Sequence, residues 1–366
     1  MSKKRVVVGI SGGVDSAVSA LLLKQQGYDV VGLFMSNWKE TDENGCCTGE
    51  EDFLDVRSVC SQIDIPYYSV DFSKEYMERV FKLFVDEYKR GRTPNPDVLC
   101  NREIKFDAFK KFAVELGADY IATGHYANSE VRDGHTYLLR AKDENKDQTY
   151  FLNQLTEEQI TDVLFPIGNL IKTEVRDIAL KYNLSVAKKK DSTGICFIGE
   201  KRFRQFLANY IPMKKGEIVT KDGKVIGEHD GVFYYTIGQR KGLGIGGTAD
   251  GNGNAWFILD KDVEKNRLIV SQGEDDVLFD NVLYTEGFNF INGSPACDEF
   301  DCLVRIRHRQ PLQRAKAFVL KEGEAVKSVR VEFEIPQRAI AKGQYAVLYR
   351  DRVCLGGGVI GKSEKI

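Results

Sequence analysis

Three short stretches of the sequence carry residues whose types could do chemistry together. Near the N-terminus, Ser11–Ser16 reads SGGVDS directly after an apolar run. Cys100 and Cys196 each lie in a predicted loop near the start of a helix. The basic neighbours of Cys100 are Arg102 and Lys105, and those of Cys196 are Lys188 to Lys190 and Lys201. A glycine turn that opens a helix presents backbone N–H groups to a phosphate. A cysteine near cations is shifted towards the nucleophilic thiolate. The types therefore predict a phosphate site and a sulfur nucleophile.

The residues around SGGVDS predict a nucleotide site at a strand-to-helix turn. An apolar, β-branched strand precedes the turn and an Ala/Leu-rich helix follows it. The predicted ATP-binding residues are Gly9, Ile10, Ser11, Gly12, Gly13, Val14, Asp15 and Ser16, with Met35 and Gly124 at the ends of later strands. Asp15 suits a phosphate site only if a cation accompanies the phosphate, so we interpret it as a Mg²⁺ ligand. An ordinary βα turn is the alternative, because a Walker lysine and a GxGxxG pattern are both absent here.

The elements that must position these residues form a predicted α/β domain over residues 1–211. Strands alternate with helices there, which indicates a doubly wound parallel sheet with ligands at the carboxyl ends of its strands. Residues 212–274 have short β runs and predict a small central β module. Residues 275–366 are β throughout and predict a C-terminal β-barrel. A formal GxGxxG match at Gly242, Gly244 and Gly247 precedes a predicted strand rather than a helix, so we reject a dinucleotide site there.

Composition limits the class of protein. The 366 residues are 42% hydrophobic and 29% charged, which is ordinary for a globular protein. No apolar run reaches membrane-spanning length, so we expect a cytoplasmic protein without membrane contact. The eight cysteines are irregularly spaced, which favours reduced cysteines over a disulfide framework.

The other cysteines divide into two groups. Cys60, Cys297, Cys302 and Cys354 lie in apolar runs and are predicted to be small buried side chains. Cys46 and Cys47 are adjacent in a polar loop, and no CxxC pair or histidine spacing supports zinc there.

A net charge of −2 argues against nucleic-acid binding by the chain as a whole, but one local run is basic. This run, which we call the basic run, comprises Arg305, Arg307, His308, Arg309, Arg314 and Lys316. An RNA-binding stripe and an ordinary solvated surface are both compatible with it.

Five motifs give the chain a resemblance that covers almost its whole length. PNPDVLCNREIKF, ATGHYA, KDQTYFL, DSTGICFIGE and YYTIGQRKGLGIGG together with SGGVDS resemble the tRNA-specific 2-thiouridylases, which are PP-loop ATP pyrophosphatases. One departure is Lys342, at a position where we expect proline in that family. We interpret it as affecting the barrel turn and not the catalytic domain.

The resemblance implies a reaction in which a tRNA wobble uridine is activated by ATP and then receives sulfur. It implies that Cys196 carries a persulfide, that Cys100 attacks it, and that a transient Cys100–Cys196 disulfide forms. Asp97 would handle protons, with a loop cap as its alternative role. The implied cofactors are ATP and Mg²⁺. The implied partners are tRNA and a persulfide-donating sulfur carrier or cysteine desulfurase.

The same resemblance implies the tRNA contacts. Asn95, Pro96 and Asp97 would meet the target base, with His125 nearby. Asp147, Gln148, Thr149, Arg307, His308 and Gln344 would lie along the RNA. Two other functions stay open at this point: a PP-loop ligase that adenylates a small molecule, and a non-catalytic RNA-binding protein. The ligase would need no cysteine pair, and the sequence shows no glutaminase segment. The intact SGGVDS turn, together with Cys100 and Cys196, argues against a protein without catalysis.

Overall fold

The computed structural model describes residues 3–38, 48–191, 207–245, 253–273 and 275–366. Up to residue 191, its strands are β1 (Arg5–Gly9), β2 (Asp29–Ser36), β3 (Tyr67–Asp71), β4 (Tyr120–Ala122), β5 (Ala127–Arg132), β6 (His135–Arg140) and β7 (Val163–Leu164). Its helices are α1 (Val14–Gln25), α2 (Thr48–Gln62), α3 (Ser73–Tyr76), α4 (Lys82–Lys89), α5 (Pro96–Cys100), α6 (Phe109–Glu115), α7 (Thr149–Leu152), α8 (Glu157–Ile160) and α9 (Lys172–Lys181). The π-helical segments Met77–Phe81 and Asn101–Ala108 join α3 to α4 and α5 to α6.

A parallel sheet with the strand order β3-β2-β1-β4-β7 is the core of this part, which confirms the predicted doubly wound α/β fold. Alternate residues of β1 face opposite sides: Val6 and Val8 pack with α1, α2 and α9, whereas Val7 packs with α4 and α6. The strand order reverses between β1 and β4. In open α/β sheets, this reversal opens a crevice in which ligands bind.

In the sequence, apolar residues recur at helical spacing between positions 80 and 88, which predicts a helix with one buried face. In the structure, α4 and the preceding π-helical segment pack this face against the sheet. Val80, Phe81, Phe84 and Val85 are all buried. These aromatic side chains are therefore core residues.

The central module is a separate four-stranded sheet. Its strands are β8 (Gly216–Thr220), β9 (Val225–His229), β10 (Trp256–Asp262) and β11 (Arg267–Gln272), in the order β10-β11-β8-β9. In the sequence, the Asp222-Gly223 dipeptide predicts a hairpin turn. This turn joins β8 to β9, and Gly223 has a φ of 85°. The glycines Gly242 and Gly244 precede strand β10, as the rejection of a dinucleotide site requires; Gly247 lies outside the described residues.

The last part is the predicted closed barrel. Its strands are β12 (Phe279–Phe290), β13 (Glu299–Arg305), β14 (Gln313–Glu322), β15 (Ala325–Arg338), β16 (Tyr345–Arg350) and β17 (Val353–Glu364). Antiparallel pairs run in the order β12-β15-β14-β13-β16-β17, and β17 pairs with β12 to close the sheet.

One hairpin of the N-terminal part joins the barrel instead of the parallel sheet. β5 pairs with β6 through a turn in which Asp133 and Gly134 both have positive φ, and Leu139 of β6 pairs with Val353 of β17. The Asp-Gly dipeptide is a local signal of such a hairpin, so this turn was predictable from the sequence although our expectations did not include it. A buried apolar cluster also spans all three parts, with Tyr150, Ile258 and Tyr345 among its members.

Three of the four cysteines predicted to be buried are buried. Burial raises the pKa of Cys60 to about 11 and of Cys302 to about 12, and Cys354 is fully buried. Cys297 is exposed, so that prediction was wrong: it lies in the turn that precedes β13, outside any strand. Cys46 and Cys47 lie outside the described residues.

None of the helices among the described residues is both long and apolar enough to span a membrane.

Candidate functional site

Hydrogen bonds that involve Ser11 and Ser16 hold the turn after β1. The Ser11 amide donates to Ser16 Oγ at 3.2 Å, and Ser16 Oγ donates to the Gly13 carbonyl at 3.1 Å. Gly13 is the N-cap of α1 and makes no side-chain hydrogen bond there. The first-turn N–H groups of α1 and its dipole thus favour an anion at this end of the helix.

Two glycines allow neighbouring backbone segments to approach the turn closely. Gly12 has a φ of 75°, and a Cβ there would lie 2.7 Å from the Asp52 carbonyl oxygen of α2. Gly124 follows β4, and a Cβ there would lie 2.7 Å from the Ser16 nitrogen. The predicted residues at the ends of β1 and β4 are therefore in direct contact at the strand-order reversal.

This contact predicts the effect of a methyl group at position 124. Gly124→Ala should push Ser16 and the first turn of α1 out of position, since backbone atoms cannot yield as a flexible side chain can. We expect the KM for ATP to rise about tenfold, with a loss of about 1–3 kcal/mol in unfolding free energy. Gly227→Ala is the control because a Cβ there meets ordinary contacts at 3.7 Å. An unchanged KM in Gly124→Ala would place the nucleotide elsewhere.

The other predicted nucleotide residues lie around the same turn. Ile10 is 1% exposed and Val14 is 4% exposed, so both belong to the core and offer a ligand only their backbone. Met35 is partly buried in β2, and its Cε would lie 3.7 Å from a Cβ on Gly9.

A lysine that no motif in the sequence indicates contacts Asp15. Lys172 is the first residue of α9, and its Nζ donates to both carboxylate oxygens of Asp15 at 2.8 Å. The same Nζ lies 2.8 Å from Asp191 Oδ1. Tyr126 OH donates to Asp15 Oδ1 at 3.0 Å. A cation is thus held within reach of the anion-binding end of α1.

This arrangement limits what Asp15 can give to a metal. Oδ1 already accepts two hydrogen bonds, and Oδ2 accepts one from Lys172. A carboxylate oxygen has two lone pairs, so Oδ2 retains one position for a cation. Among the described residues, His, Cys, Asp and Glu do not form a group of three or more that could hold a metal by itself.

Asp191 forms ion pairs with three basic side chains beside this site. Lys146, Lys172 and Arg176 each lie 2.8 Å from its carboxylate. Burial opposes ionisation of Asp191, but the hydrogen bonds from Lys146 and Lys172 outweigh it and hold its pKa well below the usual range. Lys189, one of the basic residues predicted to activate Cys196, is instead paired with Asp52 and Asp55 of α2 at 2.7 and 2.6 Å.

The segment that carries Asp97 and Cys100 is a helix and not the predicted loop. Asn95 is the N-cap of α5, and its side chain accepts the Asp97 amide at 3.2 Å. Pro96 occupies the first turn, where proline is compatible with a helix. From the sequence, Asn101 is predicted to cap the helix that follows it, but in the structure it lies inside the continuous helix and donates to the Phe151 carbonyl at 3.2 Å.

Cys100 is the last residue of α5 and is 1% exposed. Of its predicted basic neighbours, Arg102 is paired with Glu103 at 2.7 Å. The continuation of this helix reaches the nucleotide turn, because Phe109 contacts the position of Gly9 and the Phe106 ring lies 5.8 Å from that of His125. Cys196 lies outside the described residues, so its pairing with Cys100 stays a prediction.

The predicted tRNA residues Asp147 and Thr149 are buried. Asp147 is 1% exposed, accepts Arg305 NH1 at 2.9 Å, and accepts the Thr149 hydroxyl through both oxygens. Gln148 is half-buried, and its Oε1 accepts the Tyr126 amide at 2.9 Å. This tripeptide therefore links the Tyr126–Asp15 pair to the barrel.

The two predicted histidines are neutral at physiological pH. Burial and the nearby Lys105 hold the pKa of His125 well below its usual value, and its Nδ1 lies 2.9 Å from Thr123 Oγ1. Burial, together with the charges of Arg309 and Arg305, lowers the pKa of His308 to about 4. The His308 ring packs on Phe151 at 4.4 Å.

The basic run is divided between interior and surface. Arg305 ends β13, is 4% exposed and is paired with Asp147. Arg307 is half-buried, and its NH2 donates to the Ala339 carbonyl at 2.6 Å. Arg309, Arg314 and Lys316 are exposed, and Lys316 is paired with Glu299. Both interpretations of the sequence place the whole run at the surface, and this is wrong for Arg305, which is buried.

Three family models match successive parts of the chain. They are described as a tRNA methyl transferase HUP domain (residues 4–200), a tRNA methyl transferase PRC-barrel domain (204–272) and an aminomethyltransferase beta-barrel domain (280–360).

Curated relatives match almost the whole chain and carry a different activity in their names. The tRNA-specific 2-thiouridylase MnmA 1 of Geobacillus kaustophilus is 57% identical over 98% of this chain and 96% of its own length. The tRNA-specific 2-thiouridylase MnmA of Alkaliphilus oremlandii is 56% identical over 97% of this chain and 96% of its own. Among solved structures, the U34-tRNA thiolase NcsA of Methanococcus maripaludis is 18% identical, with 57% of this chain and 66% of that chain covered and a TM-score of 0.35.

Proposed function

The chain belongs to the tRNA-specific 2-thiouridylase family, and from this premise we propose that it replaces O2 of the wobble uridine (position 34) of a tRNA by sulfur at the expense of ATP. The observation that carries the proposal is the match to these relatives over nearly the full length of both chains. The geometry supports it, since the SGGVDS turn and Gly124 meet at the strand-order reversal. The helix that carries Cys100 continues to the same place.

ATP binds with its phosphates at the first turn of α1. The donors are the backbone N–H groups of the turn Ser11–Ser16 and the ammonium group of Lys172. Asp15 Oδ2, through its remaining lone pair, would hold a magnesium ion that accompanies ATP, and such an ion would lower the negative charge of the phosphates. The Lys172 ammonium and the Tyr126 hydroxyl hold this carboxylate in a fixed orientation.

ATP supplies the leaving group that a uracil carbonyl lacks. O2 of the uridine attacks the α-phosphorus, so that the adenylyl group is transferred to O2 and pyrophosphate is released. A sulfur nucleophile then attacks C2 and expels AMP. Asp97, at the start of α5, accepts the proton that the nucleophile loses.

Cys196 and Cys100 deliver the sulfur. A partner loads Cys196 with a persulfide, and the Cys100 thiolate attacks the inner sulfur of that persulfide. A Cys100–Cys196 disulfide forms, and hydrosulfide leaves to attack C2 of the activated base. A dithiol reductant must then reduce the disulfide before the next cycle. The persulfide donor is a sulfur carrier or a cysteine desulfurase.

The tRNA lies against α5 and one side of the barrel. The target base faces Asn95, Pro96 and Asp97, with His125 behind them. The side chains with solvent access, namely Gln148, Arg307, His308 and Gln344, follow the RNA. The buried Asp147 and Thr149 support this face by fixing Arg305. The enzyme meets its tRNA in the cytoplasm.

A reconstituted reaction tests the proposal. The protein is incubated with ATP, a persulfide donor and unmodified tRNA, and nucleosides are analysed by mass spectrometry. We expect one AMP and one pyrophosphate for each 2-thiouridine formed, and a tRNA with cytidine at position 34 should stay unmodified. Formation of ADP and phosphate, or of an amide product without 2-thiouridine, would contradict the proposal. In cells that lack the protein, bulk tRNA should lose 2-thiouridine.

A further inference from the structure

The barrel makes direct hydrogen bonds to the segment that leads into the cysteine helix. The Thr93 amide donates to the Lys342 carbonyl at 2.9 Å, and Gln344 Nε2 donates to the Thr93 carbonyl at 2.7 Å. Both backbone groups of Thr93 are thus held by one turn of the barrel, residues 341–344. Asn95, the N-cap of α5, follows only two residues later.

From these contacts we propose that Gln344 is a positioning residue for the cysteine helix α5. It acts through Thr93 and sets the place of Asp97 and Cys100 relative to the nucleotide. This inference rests on the proposed roles of Asp97 and Cys100. It gives the barrel a part in the chemical step, beyond any contact with RNA.

The Gln344 side chain is itself fixed from the other side. Tyr150 OH lies 3.3 Å from Gln344 Oε1, from the Ile306 carbonyl and from the Tyr345 carbonyl. Tyr150 is fully buried. The amide of Gln344 therefore has one orientation, with its nitrogen towards Thr93.

The neighbours of Gln344 and Thr93 also join the two segments, through a close backbone approach and an ion pair. Gly343 has a φ of 90°, and a Cβ there would lie 3.0 Å from the Thr93 nitrogen. Arg92, next to Thr93, makes two hydrogen bonds of 2.6 Å to Glu286 of the barrel. The barrel thus contacts both Arg92 and Thr93.

The other end of α5 is also tied to the barrel. Asn101 directly follows Cys100 and donates to the Phe151 carbonyl, and the Phe151 ring packs on His308 at 4.4 Å. The helix that holds Asp97 and Cys100 is therefore fixed at both ends. A shift of the turn 341–344 must move the start of this helix.

The contact with Thr93 bears on Lys342, where the family pattern has proline. From the sequence we expect this difference to affect the barrel turn and not the catalytic domain, but the turn contacts the catalytic domain through Thr93. Lys342 contributes its carbonyl, which proline would also supply, and its side chain is exposed. The substitution is therefore compatible with an intact contact.

The experiment compares Gln344→Met with Gln154→Met. Gln154 is a matched control because its Nε2 also donates to a barrel carbonyl, that of Gly357, at 2.7 Å. Thiolation rates are measured at saturating ATP over a range of tRNA concentrations, and tRNA binding is measured separately. We expect Gln344→Met to lower kcat, measured at saturating tRNA, about tenfold to a hundredfold, as small displacements of reacting groups do, in addition to any rise in the Kd that its proposed RNA contact brings. Gln154→Met should keep the kcat of the natural protein.

Each other outcome overturns the proposal. A raised KM and Kd for tRNA with unchanged kcat would make Gln344 an RNA contact alone. An equal loss of kcat in Gln154→Met would mean that the whole interface, and not the Thr93 contact, matters.

A second variant tests the same contact in case Gln344→Met fails to fold. Gly343→Ala keeps Gln344 and displaces Thr93, and it should lower kcat in the same way. An unchanged kcat in Gly343→Ala would likewise overturn the proposal. Failure of the natural protein to thiolate tRNA would instead refute the proposed function, which the same assay shows separately.

Discussion

Replacing Lys172 with methionine is expected to lower kcat/KM for ATP by about a hundredfold or more, because a positioned cation near transferring phosphates contributes that much. Its side chain is 13% exposed and bridges Asp15 and Asp191. Without the ammonium group, these two carboxylates would face the incoming phosphates with less positive charge between them. Pyrophosphate release and the Kd of ATP, measured by titration, would show the loss.

Lys181→Met is the matched control for this change. Lys181 is the last residue of the same helix α9, is exposed, and lies over the Tyr182 ring. It should leave ATP use unchanged. Lys172→Arg should restore part of the activity, since the charge returns with a different shape. A Lys172→Met protein that releases pyrophosphate within twofold of the natural rate would show that Lys172 only orients Asp15.

The nucleotide turn could be predicted because its signals are local. The β-branched run before SGGVDS and the Ala/Leu-rich run after it fix a strand and a helix, and the glycines between them fix the turn. The alternation of strands and helices then places Gly124 at the same edge of the sheet. These conclusions need only neighbouring residues and the rules of parallel sheets.

The contacts that complete the site join residues far apart in the chain. Lys172 and Asp15 are 157 positions apart, and Arg305 and Asp147 are 158 apart. No period or local pattern relates such pairs. In the sequence, Arg305 resembles its exposed neighbours, and only the direction of its side chain at the end of β13 places it inside.

The start of the cysteine helix α5 was mispredicted for a different reason, namely that proline can occur both in a loop and in the first turn of a helix. In the sequence, Pro94 and Pro96 favour a loop over residues 93–99. Pro96 instead lies in the first turn of a helix, where a backbone N–H would have no partner within the helix, so its absence removes no hydrogen bond. Asn95 is a stronger candidate for a helix cap than Asn101, because asparagine is favoured at the N-cap and proline is favoured at the next position, the first residue of the helix. Asn101 is instead buried and serves the contact with Phe151.

The two cysteines of the proposed sulfur transfer should give different defects. Cys100→Ser should still accept sulfur on Cys196 from a persulfide donor but lose thiolation by about a thousandfold or more, as loss of a nucleophile does in other enzymes. Cys196→Ser should accept no transferable sulfur, yet bind ATP and tRNA normally. Alkylation followed by peptide mass spectrometry locates the added sulfur.

Cys297→Ser is the control for this pair, because Cys297 is exposed and lies in the turn before β13. It should retain loading and thiolation at the natural rates. In the natural protein, a single turnover without reductant should leave Cys100 and Cys196 joined as a disulfide, and a second turnover should require a dithiol. Extra sulfur found on Cys100 would reverse the two roles. Normal thiolation by Cys100→Ser would remove Cys100 from the reaction, and hydrosulfide would then have to leave Cys196 by attack of an external thiol.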